Sequence, residues 1–336
     1  MSTTLGAIAG ASLFVWSIRA AGARVVLEHV SRLGAGFIAV LLLGGIRQFI
    51  RATAWRCCLE SCNRLPLGVA FLACVAGDSL GNVTPFGLLI SEPSKIVLTR
   101  RYLSPTESAA ALAVENLLYS ATVVGLLLSG TAAMLSSFSV AAPLRVASLS
   151  ILAGTVALAI GGLWVLRSRS PLLSRLGRAA VRRNVARRYL ERRVSQVEEV
   201  ERRVFDFAGR HRQKILFVLG LEIVFHAAAV AETWLVLSMI TGTPAPILVA
   251  FVLEYVNRCI TTGFQFVPMW IGVDEAGTGL AATVLQLGSA TGVSLALTRK
   301  GRTLIWTAVG MCVLAQKGVS VRSTIKAEAL AAHDVG

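Results

Sequence analysis

The segment FVPMWIGVDEAG, residues 266–277, interrupts a long apolar stretch with a proline, two glycines and two carboxylates. Proline lacks the backbone N–H and clashes with the preceding helical turn, and glycine weakens a helix through its conformational freedom. The segment therefore predicts a break in a helix that the surrounding sequence would otherwise continue.

An earlier segment, GNVTPFG at residues 81–87, predicts a second break of the same kind. Pro85 precedes Glu92 by seven residues, and Pro268 precedes Glu275 by the same interval. Each break lies between short apolar segments and is followed by a long one. The correspondence predicts an internal repeat of two halves.

The composition around these breaks is that of a membrane protein. Of 336 residues, 55% are hydrophobic and 15% are charged, whereas an average soluble domain has roughly 25% charged residues. A helix that crosses the hydrocarbon core needs about 20 apolar residues. We therefore expect an all-α, polytopic integral membrane protein of about 7 to 8 spans, with clear spans near residues 33–55, 106–136, 140–166, 215–240 and 292–316.

Changes in composition divide the chain into five segments. We expect an N-terminal short span or interfacial helix at 1–32, a first membrane half at 33–166, an Arg-rich cytoplasmic amphipathic segment at 167–214, a second membrane half at 215–317 and a cytoplasmic tail at 318–336.

The basic residues predict the orientation. Residues 167–214 carry 15 Lys and Arg against 5 Asp and Glu, whereas the turns at 137–142 and 241–245 contain no charged residue. Because short cytoplasmic loops are enriched in Lys and Arg, the basic segment and the C-terminus are expected inside, in the bacterial inner membrane. The first break then enters from the cytoplasm and the second from outside, as in the inverted halves of secondary transporters.

The basic segment itself has two interpretations. Recurrent Arg pairs with Val and Leu between them suit a helix that contacts an anionic lipid surface, and the alternative is a solvated loop that fixes the topology. Nucleic-acid binding is not expected, because few aromatic residues accompany the arginines.

Backbone that leaves a helix at membrane depth must be covered by protein or line a water-filled cavity. Two breaks in matching places therefore predict re-entrant helix pairs around a shared polar cavity. The alternative is that one or both segments are ordinary proline-kinked spans.

Charged residues inside apolar segments are the candidate functional groups, because an unpaired charge at the bilayer centre costs at least about 2.5 kcal/mol. We expect Glu115 to pair with Arg299, since both follow a break by a similar interval. Arg258 and Arg302 are further cations that could meet Glu254, Asp274 or a lipid phosphate. The alternative role for all of these residues is buried ion pairing that holds the spans in register.

Other charged residues have simpler interpretations. Arg47, Arg51 and Arg56, at the end of the second predicted span, are expected to snorkel to the interface. Glu92 and Glu275 either cap a half-helix N-terminus or bind a head group or a proton. His226 and Glu222 share a helical face, and the histidine is either a core residue or a proton relay.

No enzyme motif is present in the sequence. There is no GxxxxGK[ST] loop, HExxH motif or GxSxG elbow, so we assign no catalytic residue, metal ligand or cofactor. The six cysteines lack the spacing of a disulfide framework or a zinc site and are expected to be free thiols.

Several short motifs resemble the membrane region of lysylphosphatidylglycerol synthases, a family that includes stand-alone proteins called flippase-like. The motifs are Ala54-Trp55-Arg56, Gly81-Asn82-Val83-Thr84-Pro85 leading to Ser91-Glu92, Glu115-Asn116, and Pro268 with Ile271-Gly272-Val273-Asp274-Glu275-Ala276, followed by Arg299. The resemblance extends from about residue 5 to 316. Met269-Trp270 stands where the family often has glycines, and no segment resembles the soluble aminoacyl-transfer domain.

The resemblance implies a lipid translocase that moves a polar-headed lipid, anionic, glycosylated or isoprenoid, between leaflets through a midplane cavity. The expected cavity residues are Asn82, Pro85, Glu92, Glu115, Arg258, Pro268, Trp270, Gly272, Asp274, Glu275, Arg299 and Arg302. The expected partners are the membrane lipid substrate, the anionic lipid surface and a second copy of the chain. Two alternatives are a membrane-embedded enzyme that modifies a lipid head group and an accessory subunit of a lipid or hopanoid biosynthesis complex.

Overall fold

The computed structural model describes residues 19, 22–138, 142–168 and 187–316. The expectations for the first part of the N-terminal segment, for residues 169–186 of the basic segment and for the C-terminal tail lie outside the described residues. Within the described ranges, every regular element is a helix, which confirms the all-helical fold class.

The helices are numbered in chain order. They are α1 (Ala23–Ser31), α2 (Gly36–Cys57), α3 (Leu67–Asn82), α4 (Leu88–Thr99), α5 (Pro105–Ser137), α6 (Ala142–Ser168), α7 (Arg187–Arg210), α8 (Arg212–Thr241), α9 (Ile247–Gly263), α10 (Val273–Val284) and α11 (Ser289–Gln316), with short 3-10 turns at Cys62–Arg64 and Pro268–Trp270.

Three of the described helices are long and apolar enough to cross a membrane. Helices α2, α5 and α8 contain 22, 33 and 30 residues, and each exceeds the roughly 20 residues that span about 30 Å of hydrocarbon. Helix α11 has 28 residues but carries Arg299, Lys300 and Arg302 near its centre. Helix α3 and residues 148–161 of α6 are apolar but shorter.

The first predicted break separates two short helices that pack against each other. Helix α3 has 16 residues and α4 has 12, so each is too short to cross alone. The connection, residues 83–87, contains Pro85 and the positive φ of Phe86. The Ser91 hydroxyl donates to the Asp78 carboxylate across the pair at 2.8 Å.

The second break has the same form. Helix α9 has 17 residues and α10 has 12, and they also pack together. The connection includes the 3-10 turn at Pro268–Trp270 and the positive φ of Gly272. Asn257 donates to Asp274 across the pair at 3.3 Å. The helix resumes at Val273, so the last part of the predicted break is the first turn of α10.

The two connections touch each other, and each helix pair packs against the long helix of the other half. The Phe86 N–H donates to the carbonyl of Gln265 at 3.1 Å. Helix α3 packs on α11, α9 packs on α5, and α2 packs on α8. Helices α2–α5 and helices α8–α11 therefore make corresponding contacts, since α11 packs on α3 as α5 packs on α9.

Small residues allow two of these contacts to be close. A Cβ on Gly130 of α5 would overlap the ring of Tyr255 on α9, and a Cβ on Gly310 of α11 would overlap the hydroxyl of Ser79 on α3. Small residues allow membrane helices to approach closely and gain packing contacts. Close contacts at these glycines thus join α5 to α9 and α11 to α3.

The described part of the basic segment is helical and packed against the bundle. Val204 and Phe207 of α7 are buried against α5, and Lys214 donates to the carbonyls of Leu59 and Glu60 at 2.9 and 3.1 Å. On the exposed face, hydrogen bonds donated mainly by Arg202, and also by Arg203, hold the pKa of Glu199 below its ordinary value. This part of the chain is therefore more than a solvated loop.

Candidate functional site

A polar layer separates two apolar clusters in the bundle. Along α8, Val218 belongs to one cluster and Leu237 to the other, and the buried residues Glu222, His226 and Glu232 lie between them. Along α2, Val40 and Trp55 likewise flank Arg47 and Arg51. The candidate site is this layer.

A cavity of about 1090 Å³ opens in the polar layer. Its charged lining residues are Arg47, Arg51, Asp78, Glu92, Glu232, Glu254, Arg258, Asp274, Arg299, Lys300 and Arg302. The remaining wall is mostly apolar, with contributions from both helix connections. The volume is slightly above the upper end of the range of small-molecule sites in proteins, about 1,000 Å³.

Glu232 of α8 meets two arginines from different helices. Its carboxylate lies 3.1 Å from the guanidinium of Arg47 on α2 and 2.9 Å from that of Arg302 on α11. All three side chains are mostly buried. The Arg47 guanidinium also stacks over the Phe225 ring at 4.5 Å.

Glu254 of α9 meets two more arginines. Its carboxylate lies 3.3 Å from Arg258 on the same helix and 3.3 Å from Arg299 on α11. Arg299 also donates to Thr233 at 2.9 Å, and Arg258 donates to the Tyr119 hydroxyl at 2.6 Å. The two glutamates thus hold four guanidinium groups against the cavity.

We refer to Arg47, Arg258, Arg299 and Arg302 as the arginine cluster. Its four positive charges face the two negative charges of Glu232 and Glu254. Buried N–H groups of three members lack an acceptor: Nε of Arg47, Nε of Arg258 and Nη1 of Arg299. Leaving a buried donor unsatisfied costs about 1 to 3 kcal/mol, and more for charged groups. The cluster is therefore suited to an anion.

The expected pair of Glu115 with Arg299 is wrong. Glu115 instead receives two hydrogen bonds from Arg51, at 3.0 and 3.1 Å, while Arg299 binds Glu254 and Thr233. Glu115 and Arg299 occupy corresponding places on α5 and α11, and helices that correspond in a repeat need not be neighbours.

The expectation that Arg47 and Arg51 snorkel to the interface is also wrong. Both side chains lie in the polar layer and remain only 13% and 17% exposed. They are one turn apart on an otherwise apolar helix, so they share a face. That spacing is the signal that could have placed them in the cavity.

A second charged cluster joins α3 and α4. Lys95 is buried and lies 3.0 Å from Asp78 and 2.9 Å from Glu92. Glu92 lies in the second turn of α4 and does not cap its N-terminus. Its other carboxylate oxygen is buried without a hydrogen bond.

The carboxylates at the start of α10 are held in place by short-range contacts. Glu275 accepts a hydrogen bond from the Gly272 N–H at 2.8 Å and an ion pair from Lys300, so it caps the helix. Asp274 accepts from Thr278 at 2.9 Å and from Asn257. Of these two carboxylates, Asp274 lines the cavity.

The residues predicted for the cavity divide into two groups. Asn82, Glu92, Arg258, Trp270, Asp274, Arg299 and Arg302 line it. Pro85, Glu115, Pro268, Gly272 and Glu275 lie in the connections or behind the wall, where they shape or support it. The cavity is also lined by five residues that were not predicted there: Arg47, Arg51, Glu232, Glu254 and Lys300. The spacing of Arg47 and Arg51 could have indicated those two, whereas the sequence holds no comparable signal for the other three.

The described residues include no group of three or more His, Cys, Asp or Glu side chains placed to hold a metal ion. All six cysteines are free, as expected from their spacing.

The chain matches the family model described as lysylphosphatidylglycerol synthase TM region over residues 4–310. This match confirms the resemblance seen in the short motifs. No curated protein and no solved structure matches the chain.

Proposed function

Because the chain belongs to the lysylphosphatidylglycerol synthase TM-region family, a membrane family tied to lipid handling, we propose that it is a lipid translocase. It moves a lipid with a polar head between the two leaflets through the cavity in the polar layer, and we assign it no catalytic step.

The observation that carries the proposal is the arginine cluster. Two positive charges in excess of the local carboxylates, together with unsatisfied guanidinium N–H groups, suit a phosphate group. Guanidinium groups bind phosphate through paired, charge-assisted hydrogen bonds. In this hypothesis the phosphate of a lipid head group displaces water from the cluster while the acyl chains stay in the bilayer.

Further acidic groups in the cavity wall extend the fit to the rest of the head group. Asp78, Glu92 and Asp274 line the wall near the two helix connections. Carboxylates there accept hydrogen bonds from hydroxyl groups or pair with an amine. A head group that carries a phosphate and a hydroxyl-rich or cationic part is therefore the proposed substrate.

The repeat supplies a route between leaflets. In the proposal, α2 to α5 and α8 to α11 are two halves of inverted topology, and the pairs α3/α4 and α9/α10 are re-entrant hairpins. Their meeting at Phe86 and Gln265, and the exchange of partners between halves, support this arrangement. Inverted repeats of this kind expose a midplane site alternately to the two sides by rocking one half against the other.

The proposed orientation follows from the basic residues. With α7 and the C-terminus on the cytoplasmic side of the bacterial inner membrane, the exposed arginines of α7 lie where anionic lipid head groups concentrate. Each contributes about 1 kcal/mol of attraction near such a surface.

Reconstitution tests the proposal. Purified protein is placed in vesicles that carry trace head-group-labelled anionic, glycosylated or isoprenoid lipids, and the fraction accessible to an impermeant quencher is followed. We expect transport above empty vesicles for at least one phosphate-bearing lipid, and a loss of tenfold or more in the Arg299→Gln variant.

The matched control is Arg64→Gln, which removes an exposed arginine that pairs with Glu107. Its transport should equal that of the unmodified protein. Absence of transport for every lipid class, from protein that is folded and inserted, would overturn the proposal.

A further inference from the structure

Glu222 differs from the other buried carboxylates of the polar layer. It is 0% exposed, and neither carboxylate oxygen has a hydrogen-bond partner. Glu115, Glu232, Glu254 and Glu275 each lie within 3.3 Å of a cation or are paired with a lysine. Among the described residues, Glu222 is thus an acid that the fold buries without a partner.

Burial of this kind favours the protonated acid. An ionised carboxylate that is removed from water without a counter-ion costs several kcal/mol, and such groups bind a proton instead. The neutral form of Glu222 is therefore the form that this arrangement of helices holds. Release of the proton requires water or a cation to reach the side chain.

Side-chain contacts lead from the helical turn after Glu222 to the arginine cluster. His226 lies one turn further along the same face of α8, and its Nε2 lies 3.2 Å from the Thr122 hydroxyl, whereas Nδ1 is buried and unpartnered. The His226 ring stacks on Tyr119 with centroids 5.7 Å apart. The Tyr119 hydroxyl accepts the 2.6 Å hydrogen bond from Arg258.

The charged and titratable groups that face Glu222 come from three packed helices and its own. They are Arg51 and Cys58 from α2, Glu115 and Tyr119 from α5, Arg258 from α9, and His226. Lys214 lies two turns before Glu222 and donates to Leu59 and Glu60. The charged groups of α11 contact α8 at Glu232 and Thr233. These two residues lie about 15 Å from Glu222 along the axis of α8.

We propose that Glu222 is a proton-binding site that couples lipid movement to the proton gradient, an inference that rests on the proposed lipid translocation. The positive charges of Arg51 and Arg258 weaken, but do not cancel, the affinity of Glu222 for its proton when the cavity is empty. A lipid phosphate on the arginine cluster offsets that charge, so phosphate and proton favour each other's binding. This coupling is reciprocal by linkage. The proton and the lipid therefore cross together.

A pH gradient across the vesicles tests the direction of coupling. Cotransport moves the labelled lipid toward the alkaline side, and one proton per lipid shifts the leaflet ratio by up to about tenfold per pH unit. The Glu222→Gln variant should still move lipid but reach the same leaflet ratio with and without the gradient. The control Glu60→Gln, which changes an exposed acid three residues after the end of α2, should behave as the unmodified protein.

Accumulation on the acidic side, or a leaflet ratio in the unmodified protein that ignores the gradient, would overturn the proposal. So would a gradient response that persists in Glu222→Gln. Each of these results requires that the protein moves lipid. If instead no variant moves lipid at any pH, the proposed function itself has failed.

Infrared difference spectroscopy provides a measurement independent of transport. In the unmodified protein, the carbonyl stretch of one protonated carboxyl group should persist in neutral buffer and vanish in strongly alkaline buffer, and Glu222→Gln should lack it. Inorganic phosphate should strengthen the band at a given pH. If lipid does not move but this band titrates as expected, the proton site stands and the translocase is wrong. If the unmodified protein shows no such band, the proton site is wrong.

Discussion

The backbone N–H of Phe86 donates a 3.1 Å hydrogen bond to the carbonyl of Gln265. The two residues are far apart in sequence, and each lies in the connection between a pair of short helices. Their contact places both helix breaks at one point beside the cavity. The groups that each connection exposes are therefore available to a single ligand.

This contact predicts a specific cross-link. A disulfide requires a Cα–Cα separation of about 4.4 to 6.8 Å. Two residues joined by a backbone N–H···O=C hydrogen bond lie within that separation. Phe86→Cys combined with Gln265→Cys should form a disulfide under mild oxidation, in a background where the native cysteines are replaced by Ala or Ser. Peptide mapping after proteolysis would detect it.

Each single cysteine variant is the control and should give no internal cross-link. If the paired variant oxidises only between molecules, the two connections do not meet in the membrane.

The ion pair of Arg51 with Glu115 predicts a non-additive effect on stability. Glu115→Gln leaves Arg51 buried without its counter-ion, which should cost about 3 to 5 kcal/mol. Arg51→Gln should cost a similar amount, and the double variant should recover much of the loss. Thermal unfolding in detergent of all four proteins completes the double-mutant cycle.

Two glycines on α5 provide a matched pair of variants. A Cβ at Gly130 would overlap Tyr255, whereas a Cβ at Gly125 would meet no atom within 4 Å. Gly130→Ala should therefore destabilise the protein by about 1 to 3 kcal/mol through overpacking. Gly125→Ala should be neutral or stabilising by up to about 1 kcal/mol, because alanine favours the helix. Equal melting temperatures for the two variants would contradict the α5/α9 contact.

The packing of α7 predicts that the basic helix is part of the folded bundle. Phe207 is buried and lines the cavity, and the Lys214 ammonium lies over its ring. Phe207→Ala should lower stability by about 3 to 5 kcal/mol, and it should expose the neighbouring part of α5 to proteolysis or hydrogen exchange. Arg202→Gln, on the exposed face of the same helix, should remain within about 0.5 kcal/mol of the unmodified protein.

Local chemistry explains which features of the fold were predictable. The breaks fall at Asn82 to Leu88 and at Gly263 to Val273, close to the positions that Pro85 and Pro268 indicated. Proline and glycine act on the backbone where they stand, so their effect can be deduced from position alone. The length of an apolar run likewise determines whether a helix can cross the bilayer.

The site was only partly predictable, for a physical reason. Arg258, Arg299 and Arg302 were identified as candidates because charge is costly in apolar segments, and all three line the cavity. Glu254 was one suggested partner of Arg258, and that pair is present. The other partners could not be deduced, since a carboxylate has no preference among cations until helix packing sets distances. The sequence suggested Arg299 for Glu115, whereas packing brings Arg51 to it.

The sequence by itself determined that this is a helical membrane protein of the lysylphosphatidylglycerol synthase TM-region family, with two matching breaks and charges inside its apolar segments. Those properties depend on composition, on single residues and on spacing along the chain. Only the tertiary structure decided that four arginines share two glutamates at one cavity and that Glu222 is buried without a partner. Contacts between residues that are distant in sequence arise from the way helices pack, and pairing and desolvation are properties of those contacts.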